Sequence, residues 1–172
     1  MFAINTQIYT ARLVLSPVNW QDKHNLLSLK TDCRVFSHML GGVRTPYQVQ
    51  AEMAEDIMYW GSHRIGLYTI RKKSLATVGS FLGVTGIHLR PDGKGYALRF
   101  ALWPWARGNG YAHEAAFAVL TEAHKRGYRR IIAMAREDNI ASRRVLGGIG
   151  MIVESFFLRK GNKIFVYASE QT

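Results

Sequence analysis

Six consecutive residues, Arg107, Gly108, Asn109, Gly110, Tyr111 and Ala112, constrain the fold of this chain more than any other stretch. They follow a strand-like run at 96–102 and open a helix-like run at 112–126. A glycine-rich bend between strand and helix presents consecutive backbone N–H groups at a helix N-terminus. Those donors, together with the helix dipole, make an anion site suited to a pyrophosphate. Gly108 and Gly110 lack a Cβ, so the backbone there can reach unusual φ values and approach a ligand closely.

The 172 residues are enough for one domain with a sizeable core, and 48% hydrophobic with 20% charged residues reads as globular. No apolar run is long enough to span a bilayer. Residues 1–10 lack the basic and apolar regions of a secretory signal. Cys33 is the single cysteine, which excludes an intrachain disulfide and argues against a Cys-based metal site, so no metal is expected. A cytoplasmic location is the expectation. The formal net charge of +11 favours anionic partners such as nucleic acid, ribosomes or a polyphosphate. The basic residues are spread widely and not interleaved with aromatics, so nucleic acid is not expected as a direct substrate.

Periodicity places the elements. Residues 12–18 read as a first strand, and Asn19 caps a helix running to about Lys30. Thr45, Pro46 and Gln48 form a helix start, followed by Val49, Met53, Ile57 and Trp60 at helical spacing, with Gly61 as the expected stop. Strand-like runs cover 64–71, 78–89 and 96–102, the last two separated by the turn Pro91-Asp92-Gly93. The helix at about 110–126 carries Ala115, Ala116, Val119, Leu120 and Ala123 on one face and ends at Gly127. A buried strand at 130–135, a short helix at 140–146 and a hairpin of 151–158 with 164–169 around Gly161-Asn162 complete the chain. The order βααβββαβαββ describes an α/β domain, an α+β mixed sheet with helices on both faces.

The run from Phe100 to Ala115, with Trp103-Pro104-Trp105-Ala106 before the glycine bend, resembles the signature of the GNAT superfamily of acyl-CoA N-acyltransferases. Within it, the chain resembles the bacterial ribosomal-protein N-terminal acetyltransferases. Asn139-Ile140-Ala141-Ser142-Arg143-Arg144-Val145-Leu146 followed by Gly150-Met151, and the opening Thr10-Ala11-Arg12-Leu13-Val14-Leu15, agree with that pattern. The resemblance covers nearly the whole chain and is specific for the superfamily, not for the substrate. It implies splayed central strands with acetyl-CoA, a co-substrate, lying in the gap. It also implies pyrophosphate binding by the backbone of Arg107, Gly108, Asn109, Gly110, Tyr111 and Ala112. The pantetheine arm would meet the main chain near Leu102 and Trp103, with Asn139 beside it, and Ser142 would lie near the thioester sulfur as proton donor to the thiolate.

Each assignment has a structural rival. Asn139 also suits an N-cap, Ser142 a first-turn polar position, and Glu114 the favourable field of a helix N-terminus. Trp103 and Trp105 suit either an acceptor cleft or simple packing. The chain also departs from the family pattern. Ala97 stands where many relatives carry a Glu, Gly161 where some ribosomal-type relatives carry one, and Leu146 where many have a Tyr acid. An amine nucleophile must lose a proton. His88, with its unperturbed pKa, is the candidate base, with Glu137, Asp138, Glu154 or a water relay as alternatives.

These readings favour an acetyl-CoA-dependent N-acetyltransferase acting on a primary amine, with a protein N-terminus, a polyamine or an aminoglycoside as acceptor. The charge disfavours a polycationic acceptor. The missing carboxylates motivate the rival reading, a non-catalytic acyl-CoA-binding or nucleic-acid-associated module on the same fold. The final hairpin and the first helices are the candidate surfaces for a homodimer.

Overall fold

A computed structural model describes residues 6–74 and 79–172 of the chain. In chain order, the strands and helices are β1 (Ile8–Tyr9), β2 (Leu13–Pro17), α1 (Lys23–Lys30), α2 (Cys33–Phe36), α3 (Pro46–His63), β3 (Leu67–Lys72), β4 (Phe81–Leu89), β5 (Tyr96–Leu102), α4 (Tyr111–Lys125), β6 (Arg130–Arg136), α5 (Ile140–Gly148), β7 (Ile152–Arg159) and β8 (Asn162–Glu170). Short 3-10 turns at Trp20–Asp22 and Pro104–Ala106 precede α1 and the glycine bend. The strands form one mixed sheet in the order β1-β2-β3-β4-β5-β6-β8-β7.

Both faces of the sheet are covered, as expected. Ala115, Ala116, Val119, Leu120 and Ala123 of α4 are buried in one core with Leu13, Ile70, Ile87 and Leu98. Leu26 and Leu29 of α1 and Val49 and Met53 of α3 form a second core with Leu67 and Val84. Capping chemistry sets the helix starts. Asn19 and Asp22 form a capping box, as do Thr45 and Gln48, and Pro46 sits in the first turn of α3.

Several boundaries differ from expectation. Gly61 does not stop α3, which runs on to His63 and ends where Arg64 enters the left-handed region at φ 55°. Tertiary contacts hold that end: Tyr128 donates to the His63 carbonyl at 3.2 Å and Arg126 donates to the Arg64 carbonyl. The first of the three strands after α3 therefore starts at Leu67, not Arg64. The second starts at Phe81; its expected first residue, Val78, lies outside the described residues, as do the first five positions of the N-terminal stretch. β1 and α2 were not expected, being too short to show periodicity. The hairpin turns on Lys160 and Gly161, both at positive φ, so Asn162 opens β8. β7 is the sheet edge, and Ile152, Phe156 and Leu158 are exposed on it.

The feature that matters for function is the junction of β5 and β6. These parallel strands pair only at Tyr96 with Ile131 and Ala97 with Ile132. Beyond Ala97 they diverge, and the β6-facing edge of β5 has no strand partner among the described residues.

Candidate active site

The glycine bend lies at the open end of that divergence. Gly108 and Gly110 both adopt the left-handed region, at φ 78° and 79°. Gly110 is the residue before α4 and offers no side-chain cap. Among the described residues, the N–H groups of Gly108, Asn109, Gly110, Tyr111 and Ala112 make no hydrogen bond, while Arg107 N–H donates to the Pro104 carbonyl at 3.2 Å. Unpaired amides at a helix N-terminus, with the positive end of the dipole behind them, require an acceptor from water or a ligand.

The bend is braced from several sides. Arg12 Nη1 donates to the Asn109 carbonyl at 2.9 Å, and its guanidinium lies 4.6 Å from the Tyr111 ring centroid. Asn109 Nδ2 donates to the Arg107 carbonyl at 3.1 Å. Arg107 itself donates to the carbonyls of Leu102 and Arg34, each at 3.2 Å.

A cavity of about 460 Å³ runs from this bend to α5. Arg107, Gly108, Gly110, Tyr111, Ala112, Leu102, Asn139 and Ser142 line it. Arg144 and His113 add positive or protonatable groups. A second cavity, of about 130 Å³, occupies the divergence itself, with Ala97 to Phe100 on one wall and Ala133 to Arg136 on the other. His38, Met39, Phe100, Asn139 and Ser142 line both, so the two cavities adjoin. Ser142 thus faces both. Asn139 caps α5, its Oδ1 accepting from Ser142 N–H at 3.2 Å, so the cap and the lining role coincide. Arg143 holds α5 against the sheet through the Glu137 carbonyl at 2.9 Å and the Tyr167 hydroxyl at 3.3 Å.

His88 lines the second cavity, but the fold does not leave its pKa unperturbed. Burial first, and the Arg99 charge second, push it down to about 3. Its Nδ1 finds no hydrogen-bond partner among the described residues. The ring is therefore neutral near pH 7 and a weak base. The acids weighed beside it lie elsewhere. Asp138 pairs with Arg136 at 2.8 Å, Glu137 lies 3.7 Å from Lys163, and Glu154 pairs with Arg130. Trp103 and Asn109 line neither cavity, and the Trp103 N–H is taken by the Leu82 carbonyl at 2.9 Å. Trp105 is exposed.

An ion cluster behind the second cavity escaped the sequence reading. Lys30 Nζ lies 2.7 Å from Glu52 and 4.0 Å from Asp56; Arg44 pairs with Glu52 at 2.6 Å, and Arg99 with Asp56 at 3.3 Å. Burial, and then Arg99, lower the Lys30 pKa. Burial raises that of Asp56 against the pull of Arg99 and Lys30. For Glu52 burial also pushes upward, but Lys30 and Arg44 outweigh it and hold the carboxyl below its usual range. The available signal was Glu52 and Asp56 at i and i+4 on α3, beside the apolar Val49 and Met53.

The chain matches the family described as Acetyltransferase (GNAT) domain over residues 12–152. An uncharacterized N-acetyltransferase, YnaD, of Bacillus subtilis (strain 168) is 28% identical over 162 residues, covering 91% of this chain and 90% of that one. An acetyltransferase structure from Agrobacterium tumefaciens str. C58 superposes with a TM-score of 0.83 at 24% identity, over 99% of this chain and 97% of that one. The structure of RimL, a ribosomal L7/L12 alpha-N-protein acetyltransferase in complex with coenzyme A, superposes with a TM-score of 0.76 at 18% identity, over 95% and 97%. With a diverging β5–β6 pair, an open-amide glycine bend and a match across most of its length, the chain belongs to the GNAT family of acetyltransferases.

Proposed function

We propose that this protein transfers the acetyl group of acetyl-CoA to a primary amine, a protein N-terminal amine being one such acceptor, by direct attack in a ternary complex. The observation that carries the reading is that the two cavities adjoin and that Ser142 lines both, with the unpaired amides of the bend beside the larger one. In this reading the bend holds the pyrophosphate, Arg107 and Arg144 add positive charge, and the unpaired edge of β5 receives the pantetheine arm. The thioester then lies beside Ser142.

The amine enters through the second cavity as the free base. Its nitrogen lone pair attacks the thioester carbonyl, the C–S bond breaks from the tetrahedral intermediate, and the sulfur leaves as thiolate. Ser142 Oγ–H donates its proton to that thiolate and is reprotonated from solvent, to which the nitrogen proton also passes. Products are the amide, coenzyme A and, from an ammonium reactant, one released proton. Alignment of the two substrates supplies much of the rate. No carboxylate lines either cavity among the described residues. The proton therefore leaves through water; the neutral His88 ring can accept a hydrogen bond on that path.

RimL, which shares this fold, is a ribosomal L7/L12 alpha-N-protein acetyltransferase, and that supports a protein N-terminus as acceptor. The test is thiol release from acetyl-CoA across N-terminal peptides, free amino acids, polyamines and aminoglycosides. Turnover with an amine supports the reading. Tight acetyl-CoA binding with no turnover on any acceptor supports the non-catalytic module instead.

A further inference from the structure

We propose that the acceptor amine carries a carboxylate near its nitrogen, and that Arg99 is the residue that binds this carboxylate. The inference rests on the acetyl-transfer reading and names its substrate class.

The second cavity is lined by Arg44, Arg99 and Arg136 with His38 and His88, and by no Asp or Glu among the described residues. Two of the three arginines are committed. Arg44 pairs with Glu52 at 2.6 Å and also donates to the Gly42 and Leu40 carbonyls. Arg136 donates to both oxygens of Asp138, at 3.1 and 2.8 Å, and to Asn162 at 3.2 Å. The Arg99 guanidinium makes a single hydrogen bond among the described residues, from Nη2 to Asp56 at a long 3.3 Å. Its side chain is only 27% exposed, and most of its five N–H donors have no protein partner among the described residues. A half-buried guanidinium left this way favours an incoming acceptor of hydrogen bonds.

The cluster behind Arg99 has the same imbalance. Within the ion pairs themselves, Lys30, Arg44 and Arg99 carry three positive charges against the two carboxylates Glu52 and Asp56, while the exposed Glu55 acts on Asp56 without pairing to any of the three cations. The excess sits on the one cation that reaches the cavity with donors to spare. A carboxylate in the cavity neutralises it and takes the planar two-bond geometry a guanidinium offers. A polyamine or aminoglycoside instead adds like charge to an arginine-lined pocket. The same field lowers the pKa of an entering ammonium, which helps deliver the free amine where no carboxylate base is present.

The test uses the full chain saturated with acetyl-CoA. Thiol release and equilibrium binding are measured for matched acceptors: glutamate and its diamide, a tetrapeptide with N-terminal Asp and its Asn counterpart, and spermidine. Carboxylate acceptors should exceed their amides by about tenfold in kcat/KM and in affinity, the scale of one charge-assisted contact. The free amino acid against the peptide identifies which source of carboxylate is used. Arg99→Gln should erase the preference through KM while acetyl-CoA affinity holds, and Arg99→Lys should restore part of it. Because Arg99→Gln strands Asp56, the double variant Arg99→Gln with Asp56→Asn is measured beside it.

Equal use of acid and amide, spermidine as best acceptor, or an unchanged preference without Arg99 would overturn the proposal while leaving acetyl transfer intact. Failure to bind acetyl-CoA would overturn both readings. If nothing turns over, the acid-against-amide difference in binding still decides the acceptor class.

Discussion

Glu114 Oε1 accepts a 2.6 Å hydrogen bond from Thr10 Oγ1, joining the first turn of α4 to the chain that enters β2. The same oxygen accepts from Arg12 N–H at 2.8 Å, and Oε2 pairs with Arg12 Nε at 2.7 Å. Burial alone would raise the Glu114 pKa, but these hydrogen bonds outweigh it and hold the carboxyl below its usual range. Arg12 in turn braces the Asn109 carbonyl, so one carboxylate fixes the bend from behind. Its first role is thus structural. Glu114→Ala leaves the Thr10 and Arg12 donors without their acceptor and should destabilise the fold by about 2 kcal/mol. It should also weaken acetyl-CoA binding, and Glu114→Gln, which keeps the acceptor oxygen, should lose less of each. Denaturant titration beside calorimetric titration separates the two effects.

The two loop glycines make different predictions from similar backbone angles. A Cβ on Gly108 would meet nothing within 4 Å, whereas one on Gly110 would lie 3.4 Å from the Arg12 guanidinium. Either change to Ala forces an L residue into the left-handed region, at a cost of about 1–2 kcal/mol. Gly110→Ala additionally sets its methyl in van der Waals contact with the Arg12 that braces the Asn109 carbonyl, and should lower acetyl-CoA affinity more than Gly108→Ala does. Thermal melts with and without acetyl-CoA read both quantities.

Ser142 is assigned the proton that the departing thiolate takes. Ser142→Ala should lower kcat by roughly a hundredfold, the scale of general acid catalysis, with little change in acetyl-CoA affinity. Steady-state kinetics and calorimetry on one preparation check this. A fall in affinity with kcat preserved would reassign Ser142 to binding alone.

His88 gives a stability signature with a definite sign. Its pKa of about 3 in the fold lies below the 6.5 of an unperturbed ring, so between those values the unfolded chain binds the extra proton. Stability should fall as pH drops through that window, with a slope of up to about 1.4 kcal/mol per pH unit from this group. His88→Gln should flatten that part of the curve. The wild-type rate profile should show no inflection near 6.5 arising from His88. Denaturation at a series of pH values measures the first, and kcat/KM against pH the second.

Local signals made much of this fold legible. β5 has the boundaries its residues implied, and the glycine bend, α4 and the Asn139 cap lie where their spacing put them. The end of α3 was not legible, because Tyr128 and Arg126, distant in sequence, hold its carbonyls. The His88 shift arises from burial and from Arg99, neither visible at a strand end. The ion cluster of Lys30, Glu52, Asp56 and Arg99 was missed for a similar reason. Its members come from α1, α3 and β5, and only the packing of those elements makes them neighbours.

The proposed binding of the acetyl-CoA polyphosphate by the bend at 107–112 is tested most directly by calorimetric titration of acetyl-CoA into wild type and Gly110→Glu, with folding of both verified by circular dichroism. Wild type should bind at one site per chain, and the variant should lose about a hundredfold or more, because bulk and negative charge would enter the proposed phosphate site. Equal affinity in the two proteins, or no binding to wild type, would contradict it.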